Sequence, residues 1–146
     1  MLVAFITSVG SVLMIARASF SPFNPRNTYF FNHWITPLVL KVLGVRVKVN
    51  GKEHLDPNKS LIIVGNHQSN LDMFLFGYIC PKNGVSMGKD VIKYIPLFGQ
   101  AYWLGGNILV KRENKNSAQK SVSKTFDFLK NKGGSICIFP EGTRNK

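Results

Sequence analysis

Leu61-Ile62-Ile63-Val64-Gly65-Asn66-His67-Gln68-Ser69-Asn70-Leu71-Asp72-Met73 is the stretch on which the reading of this chain turns. Its first four residues form the short apolar, β-branched run of a buried strand. From Met73 through Phe74, Leu75 and Phe76 to Ile79 the pattern is that of an apolar helix. A polar cluster between a strand end and a helix start is where α/β folds place chemistry. His67 leaves the strand, and Asp72 falls in the first helical turn. The loop can then fold back so that the carboxylate accepts a hydrogen bond from one imidazole nitrogen, leaving the other as a base near neutral pH. Ser69 with Asp72 three residues on also makes a capping-box variant. The two readings are compatible, because a cap fixes where Asp72 points. No Ser or Cys stands at a nucleophile's position beside His67, so such a base would act on a hydroxyl brought by a substrate.

Working outward, Val45-Arg46-Val47-Lys48-Val49 alternates strictly and predicts a half-buried strand, followed by a turn at Asn50-Gly51. Val85-Ser86-Met87 and Ile108–Val110 predict short strands, and Ile136-Cys137-Ile138-Phe139 a further one. Helices are expected at Leu97–Tyr102 and at about Ser117–Lys130, the second with Ala118, Val122, Phe126 and Leu129 on its buried face. Val91–Tyr94 reads as a single helical turn. Strand and helix alternate from Val45 onward, so the fold class is α/β, with helices on the faces of a sheet.

Two more polar blocks follow strand patterns, and the three together carry a resemblance. Asn66-His67, four residues, then Asp72 resembles the first motif of the glycerolipid acyltransferases. Gly106-Asn107-Ile108-Leu109-Val110-Lys111-Arg112 resembles the second, with Leu109 where an aromatic residue is usual. Phe139-Pro140-Glu141-Gly142-Thr143-Arg144 matches the third without a departure. Ser21-Pro22-Phe23-Asn24-Pro25 and Ile95-Pro96-Leu97-Phe98-Gly99-Gln100-Ala101-Tyr102-Trp103 resemble the bacterial 1-acyl-sn-glycerol-3-phosphate acyltransferase group in particular. The resemblance implies a mixed sheet flanked by helices, as in glycerol-3-phosphate acyltransferases, after membrane-associated N-terminal helices. The division expected is residues 1–43 as the membrane-associated segment and 44–146 as the acyltransferase domain. That domain is expected to be C-terminally incomplete, because family members continue past the third block with further strands.

For function, the resemblance implies acyl transfer from a thioester of coenzyme A or acyl carrier protein to the free hydroxyl of lysophosphatidic acid, giving phosphatidic acid. The alternatives are another lysolipid acceptor, or an inert basic membrane-binding fragment. His67 is the expected base and Asp72 its orienting partner. Arg144 and Arg112 are the expected phosphate ligands, since the planar guanidinium gives bidentate contacts to phosphate oxygens. Lys89 matches a basic position near the phosphate. Glu141, Gly142 and Thr143 lie in a tight turn whose glycine permits exposed N–H groups, and Asn66 shapes the first loop. No cofactor beyond the thioester co-substrate is expected.

Composition agrees with an anionic partner. The 146 residues carry a formal charge of +12, with 45% hydrophobic and 12% aromatic content. The basic residues are scattered rather than gathered in a nucleic-acid-binding run, which favours a membrane face and a phosphorylated substrate over nucleic acid. Leu2–Ala16 is mostly apolar but short of the roughly 20 residues that a span needs. A secretory signal, a short span and a helix dipping into one leaflet all compete for it. An uncleaved anchor, of spanning or dipping type, is expected. In a span, Arg17 and Arg26 would hold the following chain in the cytosol, and the resemblance implies the cytoplasmic face of a bacterial inner membrane. Residues Tyr29–Leu43 repeat apolar pairs every four residues, with a bend or break expected at Pro37. Cys80 and Cys137 sit in apolar surroundings without metal-ligand spacing, as buried reduced thiols do. His33 and His54 have no partner pattern.

Overall fold

The computed structural model describes residues 1–56, 58–111 and 115–142, apart from the side chains of 115–118, 131 and 132. Helix α1 (Leu2–Phe20) opens the chain. Its polar residues carry little penalty, because Thr7 Oγ1 donates to Val3 O and Ser11 Oγ to Thr7 O, both at 2.8 Å. Gly10, Ser11, Met14 and Ala18 are buried, while Phe5, Val9 and Phe20 remain exposed. Asn24 then caps α2 (Pro25–Phe30) by accepting from the Arg26 N–H at 3.0 Å, with Pro25 at the helix start.

The expected break at Pro37 takes the form of a widened turn. Phe31–Ile35 is π-helical, and α3 (Thr36–Val42) restarts with Pro37 in its first turn, where a missing N–H breaks no helical bond. Gly44, with φ of 70°, ends α3. Its N–H bonds to Lys41 O and that of Val45 to Leu40 O, the two bonds of a Schellman cap.

Four strands follow, β1 (Ile62–Val64), β2 (Gly84–Lys89), β3 (Ile108–Val110) and β4 (Ser135–Ile138). They form one sheet in the order β1-β4-β2-β3. Every described pairing is parallel, so the antiparallel member of a mixed sheet is not among the described residues. Parallel neighbours need crossovers. Helix α4 (Asp72–Ile79) joins β1 to β2, a 3₁₀ turn at Asp90–Tyr94 with α5 (Phe98–Leu104) joins β2 to β3, and α6 (Lys115–Lys132) joins β3 to β4. The architecture is the α/β class expected, with helices against the sheet.

Three expectations need correction. Residues 45–49 keep their alternation, Val45, Val47 and Val49 half-buried and Arg46 and Lys48 exposed, but form no strand. An extended chain lying across an apolar surface needs that side-chain pattern without any ladder partner. The Ile62-Ile63-Val64 strand is an edge and not a buried one, with Ile62 and Val64 each 59% exposed. Helix α6 departs from the expected face at two of its four positions, Leu129 being half-buried as expected and the side chain of Ala118 lying outside the described residues. Val122 and Phe126 point outward, whereas Ser121 is buried and its hydroxyl donates to Leu109 O of β3 at 3.3 Å. A bonded hydroxyl is cheap to bury, and Phe128 packs under Gly134, whose missing Cβ would lie 2.1 Å from the ring.

The N-terminal helices are part of the core. Met14, Phe31, Ile35, Val39 and Ala101 form one buried cluster drawn from α1, the π-helical turn, α3 and α5. The inward face of α6 is open to test by chemical denaturation. Phe128→Ala should lower stability by about 1–3 kcal/mol, while Phe126→Ser should stay within about 0.5 kcal/mol. The opposite ranking would restore the face read from the sequence.

Candidate active site

The C-terminal ends of β1 and β4 are neighbours, with Val64 opposite Ile138. The Gly65 N–H continues the ladder to Ile138 O at 3.1 Å. That register delivers the first block and the third, far apart in sequence, to the same place. At the same end of the sheet, Lys89 of β2 lies opposite Val110 of β3, so the second block, which runs through β3, leaves the sheet there at Lys111.

In the first loop, His67 Nδ1 lies 3.0 Å from Asp72 Oδ2, both side chains being mostly buried. The same oxygen accepts the backbone N–H groups of Gln68 and Ser69, each at 2.7 Å. Ser69 Oγ in turn accepts from the Leu71 N–H at 3.1 Å. The His–Asp pair is present, but of the expected capping box only the bond from the Ser69 N–H to Asp72 is made. Helix α4 starts at Asp72 with Leu71 as its N-cap and no side-chain cap, so Ser69 is not the capping residue. A carboxylate only accepts, so Nδ1 is the protonated nitrogen of the neutral ring and Nε2 is left as the acceptor. Burial pulls the Asp72 carboxyl up, but the hydrogen bonds from Ser69, His67 and Gln68 outweigh it and hold the group below its ordinary 3.8.

The third block closes over this loop. Glu141 Oε2 accepts the His67 backbone N–H at 3.2 Å. The Phe139 ring stacks on the imidazole at 4.5 Å with 19° between planes. Gly142, at φ of 63°, donates its N–H to Phe139 O at 3.0 Å. Its own N–H is thereby spent on closing the turn.

His67, Lys89 and Gly142 line one cavity of about 810 Å³. Its lining is mixed, with Gln68, Asn70 and Asn32 among the polar residues and Met14, Phe31, Met73 and Phe74 among the apolar ones. Asn66 is exposed on the strand-end loop and is not part of that lining. Arg112, Thr143 and Arg144 lie outside the described residues. Cys137 also lines the cavity. Contact with the Cys80 thiol and burial push its own thiol well up, so it stays protonated and is a poor nucleophile. Burial likewise raises the Tyr102 phenol.

Several residues of this arrangement carried no signal as site residues. Met14, Phe31 and Asn32 come from the segment assigned to the membrane, because an apolar helix reads alike in either setting. Asn107 lies in the second block but works as a buried connector. Its Nδ2 donates to Thr28 Oγ1 and Tyr102 O at 2.9 and 2.8 Å, and its Oδ1 accepts the Ser86 N–H at 2.7 Å. It thus ties α2 to the strands that carry Lys89.

Residues 46–146 match the family model described as Acyltransferase. The chain belongs to the acyltransferase family. It is 34% identical over 145 residues to the 1-acyl-sn-glycerol-3-phosphate acyltransferase of Escherichia coli, covering 97% of this chain and 59% of that relative. Identity is 35% over 123 residues to the enzyme of that name from Haemophilus influenzae, with 84% and 51% covered, and 33% over 116 residues to that of Limnanthes douglasii, with 80% and 41% covered. The chain spans little more than half the length of its bacterial relatives. No solved structure matches it.

Within this acyltransferase-family domain, the depressed Asp72 pKa sets a pH window. A carboxyl lowered on folding stabilises its loop fully above the unfolded value near 3.8 and loses that contribution as pH falls through the folded value. Hydrogen-exchange protection factors of the Gln68 and Ser69 amides should therefore hold from neutral pH down to about pH 4 and collapse only below it. Collapse between pH 5 and 6 would contradict the three-bond carboxylate.

Proposed function

We propose that this chain transfers an acyl group from a thioester to the free sn-2 hydroxyl of 1-acyl-sn-glycerol-3-phosphate, giving phosphatidic acid for phospholipid synthesis. The observation that carries the reading is the His67–Asp72 pair, 3.0 Å apart, with His67 lining a cavity walled by both polar and apolar side chains. An amphiphile with a hydroxyl beside its polar head suits such a site, and the relatives' printed names supply the substrate class.

In the mechanism proposed, Nε2 of His67 takes the proton from the substrate hydroxyl as its oxygen attacks the thioester carbonyl. The carbon–sulfur bond of the resulting tetrahedral intermediate then breaks, and the imidazolium returns the proton to the leaving thiolate. Asp72 holds the ring in the required tautomer and balances its transient positive charge. Direct attack fits a site whose cavity thiol is kept protonated.

Lys89 and, on the motif resemblance, Arg112 and Arg144 bind the phosphate. Glu141 acts here mainly by tying the third block to the His67 backbone. Thr143 and Asn66 are kept as substrate-facing residues on the motif alone. The donor is a thioester of coenzyme A or acyl carrier protein.

The membrane is part of the same proposal. Helix α1 is long and apolar enough to cross a bilayer by length and composition. Phe5, Val9 and Phe20 on α1, with Trp34 and Leu38 beyond it, present apolar side chains outward. Trp34 suits the interface, and Arg17, Arg26 and Lys41 suit anionic headgroups. We place the domain on the cytoplasmic face of a bacterial inner membrane.

Radiolabelled acyl transfer in membranes carrying the protein tests the reading. His67→Ala should reduce kcat by about 10²–10⁴-fold with membrane binding unchanged. An unaltered rate would overturn the role of the base. Lys89→Ala should raise KM for lysophosphatidic acid by about tenfold, the scale of one lost charged contact, and leave that for the thioester nearly constant. Equal increases in both constants would remove Lys89 from the phosphate.

A further inference from the structure

The hydrogen bond to Asp72 restrains the His67 ring only along one edge. A ring attached at Cγ and hydrogen-bonded at Nδ1 can still rock through small coupled changes of χ1 and χ2 that keep the bond, and that rocking sweeps Nε2 out of the direction of attack. The Glu141 carboxylate fixes the backbone N–H of His67, and that bond does not restrain the ring's tilt either.

Phe139 does. Its ring lies nearly parallel to the imidazole, 4.5 Å away and 19° from coplanar, and covers one face of it. Phe139 is itself backed by Phe76 of α4, with ring centroids 4.3 Å apart and planes inclined by 42°. Phe76 can occupy that place because residue 65 has no side chain. A Cβ on Gly65 would lie 2.2 Å from the Phe76 ring. The β1–β4 register sets Gly65 and Phe139 one step beyond the Val64–Ile138 pair. Gly65, the tilted pair of phenyl rings and the imidazole thus form one contiguous packed column.

We infer that Phe139 is a positioning residue for the reaction. Its ring, backed by Phe76 over Gly65, sets the tilt of the His67 imidazole and so the aim of Nε2. The inference rests on the proposed role of His67 as base, and goes beyond it by assigning to an apolar side chain of the third block a function that acts through the first. Phe139 need not touch substrate to do so.

Kinetics in membranes carrying the protein separate these roles. Phe139→Leu should lower kcat by about 10- to 100-fold, the cost of a misaimed catalytic group, while KM for lysophosphatidic acid and for the thioester each stay within about twofold, as expected when only transition-state contacts are lost. Phe139→Tyr, which keeps the ring, should restore most of kcat. In a His67→Ala background, Phe139→Leu should cost nothing further, because there is no imidazole to aim. Gly65→Ala, which displaces Phe76, should reproduce the kcat loss more weakly. A full kcat for Phe139→Leu, with His67→Ala inactive, overturns the positioning role and leaves the base intact. Additive losses in the double variant also overturn it, since they place Phe139 in the general packing. Full activity of His67→Ala overturns the base and this inference with it.

Discussion

The pairing of Val64 with Ile138 across two parallel strands is the constraint from which the site follows. One step past that pair the chains diverge, one into the Gly65–Asp72 loop and the other into the Phe139–Gly142 turn. They meet again through the Glu141 carboxylate on the His67 N–H and the Phe139 ring on the imidazole. A slip of one residue in the ladder would carry Phe139 to the other face of the sheet, since strand side chains alternate. The dyad itself is local, spanning five residues, but its frame is not. It is held in part by the Glu141 contact, which reaches 74 positions along the chain.

The second dependence is between the N-terminal helices and the cavity. Met14 and Phe31 belong at once to the buried cluster with Ala101 and to the cavity wall. The helices that present apolar side chains outward therefore also shape the space beside His67. The Asn107 connector extends that layer to β2 through Thr28 and the Ser86 N–H.

Much of this was legible in the amino-acid sequence, for physical reasons that differ from element to element. His67 and Asp72 were readable because their geometry depends on a short loop and one helical turn, both local. The Ile108–Val110 strand was read to its ends. Helix α6 was found but faced wrongly at Val122 and Phe126, because periodicity weighs apolar residues and does not see that the Ser121 hydroxyl finds the Leu109 carbonyl. Val45–Val49 shows the converse, a correct burial pattern without a strand, since alternation reports a surface and a ladder needs a partner. The Phe139 stack was invisible, as it depends on register between strands and on the missing side chain of Gly65. Lining of the cavity by the first two helices was hidden for a related reason, because apolar periodicity does not say which apolar environment a helix will meet.

The proposed chemistry depends on the imidazole of His67 carrying its proton on Nδ1, with Nε2 open toward substrate. Nitrogen-15 spectra of imidazole-labelled protein at neutral pH report this directly. With only three histidines in the chain, His67→Gln suffices to assign the signal. We expect a protonated Nδ1 and a bare Nε2, a pattern that reverts to the ordinary tautomer mixture in Asp72→Ala. A proton resident on Nε2 in the unmodified protein would contradict the base, the orienting role of Asp72 and the direction of proton transfer together.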